Sequence, residues 1–227
     1  MEKKNIIYAH SGGVTSILNT TASSVISNAR KHDIHTLIAQ HGIIGLLHNN
    51  VYQSANLSDN DLQRLSNTPS SVFGSCRHKL PHHEDNPQAW DNFFTTIKQH
   101  NADAIMYHGG NDSQDTTLKI HQAAQQRNIP LQVYGIPKTI DNDLFGTDFC
   151  PGFPSCAKYL INSIQEASLD TYAMSKSSTK VFIMEVMGRH AGWLALSTAL
   201  ASTTKDKGPH LILTPEHPVL IDNLLSN

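Results

Sequence analysis

The chain has 227 residues, of which 39% are apolar and 16% are charged, and its formal net charge is −2. This length and composition allow one or two folded domains with a substantial core and argue against a disordered chain. The basic residues form no tail or stripe, which argues against nucleic acid as the main partner. No apolar run approaches ~18 residues, so no membrane-spanning helix is expected.

Apolar runs rich in β-branched residues alternate along the chain with stretches of helical period. This alternation predicts an α/β fold in which helices cover both faces of a parallel sheet. A cluster of Pro, Gly and Asp at 137–153 predicts a break between two lobes, and the polar segment 57–85 is expected to be an irregular surface excursion. In chain order, the predicted strands are 5–10, 35–39, 104–108, 132–136, 181–186 and 211–213, and the predicted helices are 17–30, 87–100, 113–128, 156–172 and 190–203.

Three glycine-containing corners each lie between a predicted strand and a predicted helix: 11–13 (S-G-G), 109–113 (G-G-N-D-S) and Gly188. Glycine lets backbone amides approach a ligand, and a helix N-terminus favours anions. Since ligands of open parallel sheets bind beyond the carboxyl ends of the strands, the corners are expected to line one cleft. Each corner taken alone is equally consistent with an ordinary strand-to-helix turn that binds no ligand. Neither G-x-x-x-x-G-K-[ST] nor G-x-G-x-x-G is present, which argues against a P-loop kinase and against a Rossmann dehydrogenase.

The segment 135–143 (G-I-P-K-T-I-D-N-D) is the densest in functional side chains. Because proline follows it, Ile136 is biased away from helix, so the segment is expected to be extended or turning. If it is extended, Thr139, Asp141 and Asp143 share one face, where one carboxylate could deprotonate a sugar hydroxyl while Lys138 neutralises a phosphate. An acidic loop with no catalytic role remains the alternative.

Five segments in order resemble motifs of the phosphofructokinase family. Residues 137–143 resemble its catalytic P-x-T-I-D-x-D, residues 109–113 its phosphoryl-donor loop G-G-D-G-S or G-G-D-D-S, and residues 187–189 (M-G-R) its sugar-phosphate motif. The other two are Gly12-Gly13 with Asn19, which resemble the first loop although Ser16-Ile17-Leu18 replace its usual A-P-G, and residues 214–216 (T-P-E), which resemble the P-E that binds the sugar.

The resemblance implies an oligomeric, magnesium-dependent cytoplasmic enzyme of glycolysis that phosphorylates the 1-hydroxyl of fructose 6-phosphate. It implies a donor-binding lobe at 1–140 and a sugar-binding lobe at 141–227, with Asp141 as general base and Lys138 stabilising the transferring group. The further residues that it implies are Thr139, Ile140, Asp143, Lys180, Met187, Gly188, Arg189 and Glu216 for the sugar phosphate, Gly12, Gly13, Arg77, Gly110, Asp112 and Ser113 for the donor, and Asn111 and Asp112 for the metal.

Two positions favour pyrophosphate over ATP as the donor. ATP-using members carry glycine at the positions of Asp112 and Lys138, whereas this chain is similar to pyrophosphate-using members at both. An aspartate crowds and repels the nucleotide, and a lysine adds positive charge for a compact diphosphate. The implied reaction is the reversible pyrophosphate-dependent one, with the ATP-dependent kinase as the alternative.

The chain departs from the family at three places. Asn111 stands where the family has its magnesium-associated aspartate, so Asp112 or water is expected to take over that task. Lys180 stands where ATP-using members often have an arginine from a neighbouring subunit. No later segment resembles the family's L-G-x-x-Q-R-G-G, so the expected fold is a two-lobed phosphofructokinase-like parallel-sheet sandwich with an incomplete second lobe, and an inactive or partner-dependent fragment remains an alternative.

Other residues have simpler interpretations. Trp90, Phe93, Phe94 and Ile97 are spaced as the core-facing stripe of a helix. The histidines and carboxylates at 78–85 could bind zinc, but no second ligand pair has the matching spacing, which favours a solvated loop. The cysteines, at 76, 150 and 156, show no C-x-x-C spacing, which favours free thiols in a reducing cytoplasm.

Overall fold

The computed structural model of the chain describes residues 4–202, 208–217 and 219. It divides into two compact units, Met1–Lys138 (unit 1) and Thr139–Asn227 (unit 2). No helix among the described residues is both long and apolar enough to cross a bilayer.

Unit 1 is built on a five-stranded sheet with helices on both faces. The strands lie in the order β3-β2-β1-β4-β5, and all neighbours are parallel except β3, which runs antiparallel to β2 at the edge. The predicted parallel sheet is therefore confirmed for four strands and extended by a short antiparallel one. The strands are β1 (Asn5–His10), β2 (His35–Ala39), β3 (Val51–Gln53), β4 (Ala102–Gly109) and β5 (Gln132–Pro137).

Five helices of unit 1 cover the sheet. Their bounds agree with the predicted ones within a few residues, except that two short helices, α2 and α3, were not predicted. The sequence predicted an irregular segment at 57–85, but part of this segment forms α3, which begins with a capping box of Ser58 and Asp61. The helices are α1 (Ser16–Lys31), α2 (Ile43–Leu47), α3 (Asp59–Ser66), α4 (Pro87–Gln99) and α5 (Asn111–Gln126).

The core of unit 1 lies on both faces of the sheet. Alternate strand residues point to opposite faces, so Ile7 packs with the cluster that contains Trp90 and Phe93 of α4, whereas Tyr8 packs with Ile26 of α1 in a second cluster. The predicted apolar stripe of α4 is confirmed as core, with all four side chains at most 2% exposed.

The regular secondary structure in the described part of unit 2 is helical, and most of the remaining residues are in turns and irregular segments. It contains α6 (Phe153–Met174), the short helix α7 (Trp193–Ser197) and a 3-10 turn at Thr198–Ala201. A small cluster of Phe153, Ala157 and Leu194 forms its core.

Three predictions for unit 2 are wrong or need shortening. The segments 181–186 and 211–213 form no strand, and Val181 and Ile183 are 74% and 85% exposed. A strand needs a neighbour for its backbone hydrogen bonds, and no other described segment of this unit is a strand. The predicted helix 190–203 is shortened to α7 and the 3-10 turn, and Thr203 lies outside the described residues.

Candidate active site

The first two glycine corners lie side by side in unit 1. Because β1 and β4 are neighbours with His10 opposite His108, the loops that follow them leave the same edge of the sheet. The Ser11 amide donates to the His108 carbonyl at 3.0 Å, and the hydroxyls of Ser11 and Ser113 are 2.8 Å apart and buried. A Cβ atom at Gly109 would lie 2.2 Å from the Ser113 hydroxyl oxygen, so this contact requires glycine.

Lys138 joins the end of β5 to both corners. Its amide donates to the Gly109 carbonyl at 2.9 Å, and its ammonium Nζ donates to the Gly13 carbonyl at 2.8 Å. The residue is only 5% exposed. A lysine predicted from the sequence for phosphate binding is therefore held by backbone oxygens at the carboxyl edge of the sheet, next to the first corner.

The loop before Arg77 closes over the first corner from another side. The Gly12 amide donates to the Cys76 carbonyl at 2.9 Å, and the Ser75 hydroxyl donates to the Gly12 carbonyl at 2.8 Å. A Cβ atom at Gly13 would lie 3.7 Å from Nη2 of Arg77. Gly13 therefore lies close to the side chains of an exposed arginine, Arg77, and a buried lysine, Lys138.

The second corner forms the N-terminus of α5. Gly110 is the N-cap, Asn111 and Asp112 are exposed in the first turn, and Ser113 is buried. Amides at a helix start favour anions. Lys79 Nζ lies 3.1 Å from Oδ1 of Asp112, and both side chains are highly exposed. In the described part of the chain, which includes the segment 78–85, no group of three or more His, Cys, Asp or Glu residues is arranged to hold a metal.

Two buried histidines lie directly behind the corners. Nε2 of His10 is 2.6 Å from the Gly74 carbonyl oxygen, and Nδ1 of His108 is 2.8 Å from the Tyr8 hydroxyl. Burial lowers the pKa of His10 to about 4 and that of His108 to about 3, and the charge of Lys138 contributes to both shifts. Both rings are therefore neutral near pH 7. Sequence reasoning assigned them no role, although each immediately precedes a corner residue.

The catalytic segment turns at its end instead of remaining extended. Asn142 has a φ of 57°, so Thr139, Asp141 and Asp143 do not lie along one regular strand face. The Asp141 amide donates to the Thr139 hydroxyl at 3.2 Å. Thr139 is buried, Asp141 is half-buried and Asp143 is exposed.

Asn142, between the two aspartates, has the turn-forming role that the sequence indicates for an asparagine in this loop. Its side-chain oxygen accepts from the Cys150 amide at 2.7 Å, and its side-chain nitrogen donates to the Asp148 carbonyl at 3.0 Å. These bonds close the loop 142–150, and asparagine tolerates the left-handed backbone found here. The useful signal in the sequence was an asparagine between two aspartates, a residue type that favours turns.

The remaining predicted sugar-binding residues lie in unit 2. Met187, Arg189 and Lys180 are exposed, and Ile140 is half-buried near Gly152. Gly188 follows no strand, so the third corner is not the predicted strand-to-helix turn; its φ of 118° and the Ala191 carbonyl 2.2 Å from an added Cβ atom require glycine. Whether this corner shares a cleft with the other two stays a prediction.

Glu216 has a defined contact within unit 2. Its Oε1 accepts from the Gly192 amide at 2.7 Å, and this hydrogen bond is the largest cause that lowers the pKa of the carboxyl. The side chain is therefore an ionised acceptor at neutral pH, as binding of a sugar hydroxyl would require.

Comparison with known proteins identifies the family. The phosphofructokinase family model matches residues 5–227. The pyrophosphate–fructose 6-phosphate 1-phosphotransferase of Xanthomonas campestris is 46% identical over 216 residues, 95% of this chain and 52% of that protein. An ATP-dependent 6-phosphofructokinase of a Sulfurihydrogenibium species is 29% identical over 95% of this chain and 60% of its own.

The fold is also that of the family's solved structures. A pyrophosphate-dependent phosphofructokinase from Marinobacter aquaeolei superposes with a TM-score of 0.89 at 44% identity, covering 98% of this chain and 56% of that one. The chain spans about half the length of the curated relatives it matches. The α/β architecture and the match over nearly the whole sequence agree, and the chain belongs to the phosphofructokinase family.

Proposed function

We propose that the site transfers a phosphoryl group from pyrophosphate to the 1-hydroxyl of fructose 6-phosphate, giving fructose 1,6-bisphosphate and phosphate. The observation that carries this proposal is the pair of charged residues at the donor corners, Lys138 against Gly13 and Asp112 at the start of α5. Relatives at 42–46% identity carry the name of this pyrophosphate-dependent activity, which supports it further.

Residues of unit 1 would bind the phosphoryl donor. Backbone amides at Gly13 and Gly110 and the Ser113 hydroxyl would bind the diphosphate, and Arg77 and Lys138 would neutralise its charge. The Gly12 amide already donates to the Cys76 carbonyl, so Gly12 would contribute by shaping the loop around the diphosphate. Phosphoryl transfer needs positioning and positive charge more than covalent help from the protein. Lys138 already lies beside Gly13, so little rearrangement is needed to bring its ammonium to a diphosphate bound at this corner.

Residues of unit 2 would bind and activate the sugar acceptor. Asp141 would remove the proton of the 1-hydroxyl as its oxygen attacks the phosphorus, and the bridging P–O bond of pyrophosphate would break to release phosphate. Thr139 positions the Asp141 backbone through its hydroxyl. The sugar phosphate would be held by the remaining residues of this half, which are Ile140, Asp143, Lys180, Met187, Gly188, Arg189 and Glu216.

Magnesium fits the donor corner only through a sparse set of protein ligands. Asp112 offers a carboxylate and Asn111 an amide oxygen in one exposed helical turn. Magnesium in phosphoryl-transfer sites takes most of its ligands from water and phosphate, so one or two protein oxygens suffice. When bound, it would neutralise charge on the diphosphate. A homo-oligomer working in the cytoplasm, with residues 1–140 as the donor lobe and 141–227 as the sugar lobe, completes the proposal.

A second candidate is a polypeptide that turns over only together with a further chain. Apolar side chains exposed in unit 2 favour it, including Phe145, Ile183 and Leu200, which are 106%, 85% and 74% exposed. Large apolar exposure of this kind marks surfaces that are normally covered. An ATP-dependent kinase is the weaker candidate, because Asp112 would crowd and repel a nucleotide and Lys138 suits a compact diphosphate.

A coupled assay tests the proposal. Purified chain, with its folding checked by circular dichroism, is given fructose 6-phosphate, magnesium and either pyrophosphate or ATP, and Asp141→Asn serves as the matched inactive control. Turnover with pyrophosphate alone, lost in the control, is expected. Turnover with ATP at least as fast would show that the donor is wrong, and a folded but inactive chain would favour the second candidate.

A further inference from the structure

Lys79 and Asp112 form an ion pair at the mouth of the donor corner. Nζ of Lys79 is 3.1 Å from Oδ1 of Asp112, and the side chains are 76% and 79% exposed. Lys79 comes from the loop that carries Arg77, and Asp112 from the first turn of α5. The pair therefore connects two segments that the proposed function places around pyrophosphate.

The pair contributes little to folding. Exposed ion pairs typically stabilise a protein by about 0–1 kcal/mol, because water and salt screen them. A role in stability therefore does not account for it.

Its charge matters for a bound anion instead. Asp112 places a negative charge in a site that has to accept a highly charged diphosphate, and two like charges in proximity repel. Lys79 lies against that carboxylate and offsets its charge, while leaving Oδ2 for other contacts. The carboxylate can then still oppose a nucleotide by its volume and position without an equal penalty for pyrophosphate.

We propose that Lys79 is a positioning and specificity-determining residue, which acts through Asp112 to make an acidic donor corner compatible with pyrophosphate. This inference rests on the proposed function, since it assumes that the corner binds pyrophosphate.

A double-mutant cycle tests it with pyrophosphate and magnesium as the probe, read by calorimetric binding and by KM and kcat where turnover is present. Lys79→Met should weaken pyrophosphate binding about 10-fold at low salt and less at high salt, with kcat within about twofold. In the Asp112→Asn background, the same substitution should cost no more than about twofold, because the charge that Lys79 offsets is gone.

Lys98→Met is the matched control for loss of one lysine charge. Lys98 is exposed in the last turn of α4, which leads to the opposite end of β4 from the donor corner. Its removal should leave pyrophosphate binding unchanged. Equal melting temperatures of Lys79→Met and the unmodified chain would support a role other than folding.

The outcomes separate this inference from the proposed function. An equal loss from Lys79→Met in both backgrounds, or no loss in either, overturns the role of Lys79 and leaves the donor assignment standing. Tighter pyrophosphate or magnesium binding by Lys79→Met would show that the lysine competes at this corner, which also overturns it. An unmodified chain that binds no pyrophosphate would overturn both proposals, whereas binding without turnover leaves the cycle to decide this one.

Discussion

The ammonium of Lys138 donates a hydrogen bond to the carbonyl oxygen of Gly13, 125 residues earlier in the chain, at 2.8 Å. The bond ties the end of β5 to the loop after β1, across the intervening strand β4. A cation that is 5% exposed needs such polar partners, since burial of an unpaired charge is costly. The lysine is thus held at the edge of the sheet where phosphoryl donors are expected to bind.

Lys138→Met should reduce kcat/KM with pyrophosphate by about 10²- to 10³-fold, because a preorganised cation at the transferring phosphoryl group is lost. Steady-state kinetics with varied pyrophosphate measures the effect. Lys119→Met is the matched control, since Lys119 also donates to a backbone carbonyl, that of Leu80 at 3.3 Å, but lies further along α5. A loss below threefold for Lys138→Met would contradict its role.

The donor preference should depend on two side chains together. Replacement of both Asp112 and Lys138 by glycine should open space, remove the carboxylate that repels a nucleotide and remove the lysine charge that favours a compact diphosphate. The ratio of ATP to pyrophosphate turnover should therefore rise at least tenfold. Competition assays with both donors measure the ratio. An unchanged ratio in a folded double variant would place donor choice elsewhere in the chain.

The buried histidines predict a loss of stability in acid. His10 and His108 have folded-state pKa values of about 4 and about 3, below the ordinary 6.5. The unfolded chain therefore binds more protons as the pH falls below about 6.5, and the free energy of unfolding should decrease by up to about 1.4 kcal/mol per pH unit for each ring until the folded values are reached.

Urea unfolding between pH 4 and 8 measures this dependence. Lys138 and the other histidine are the charged or titratable neighbours that enter the shift of His108, and Tyr8 contacts it through its hydroxyl. His108→Gln should reduce the slope below pH 6.5, whereas His121→Gln, at an exposed position of α5, should leave it unchanged. Equal slopes for the two variants would exclude His108 as a source.

We expect Asn19, which the family resemblance placed in the first loop, to have a structural role. Its side chain is fully buried, accepts from the Val72 amide at 2.9 Å and donates to the Thr68 carbonyl at 2.8 Å. Asn19→Ala should lower the free energy of unfolding by about 2 kcal/mol, because the two hydrogen bonds of a buried side-chain amide are lost.

Thermal and urea unfolding check this expectation. Asn28→Ala is the control on the same helix, since the Asn28 side chain is exposed and bonds only within α1, to the Ser24 carbonyl. It should cost less than about 1 kcal/mol. Similar losses for both variants would contradict the proposed tie between α1 and the segment 68–72.

Local sequence patterns predicted four of the five strands and three of the five helices of unit 1. Continuous apolar runs become buried strands, and the spacing of Trp90, Phe93, Phe94 and Ile97 becomes the buried side of α4, because both patterns record local burial. The ordered motifs likewise indicated the family, which the comparison confirmed. The helix α3 was missed because its capping signal, Ser58 with Asp61, lies in a polar segment with few apolar residues.

Which polar groups contact one another depends on the tertiary structure. The segment 181–186 has the composition of a strand but no neighbouring strand within the described part of its unit, so composition did not suffice. Contacts such as Tyr8 with His108 and Lys138 with Gly13 join residues 100 and 125 positions apart. Such contacts follow from the order and register of strands in the sheet, which periodicity along one segment does not encode.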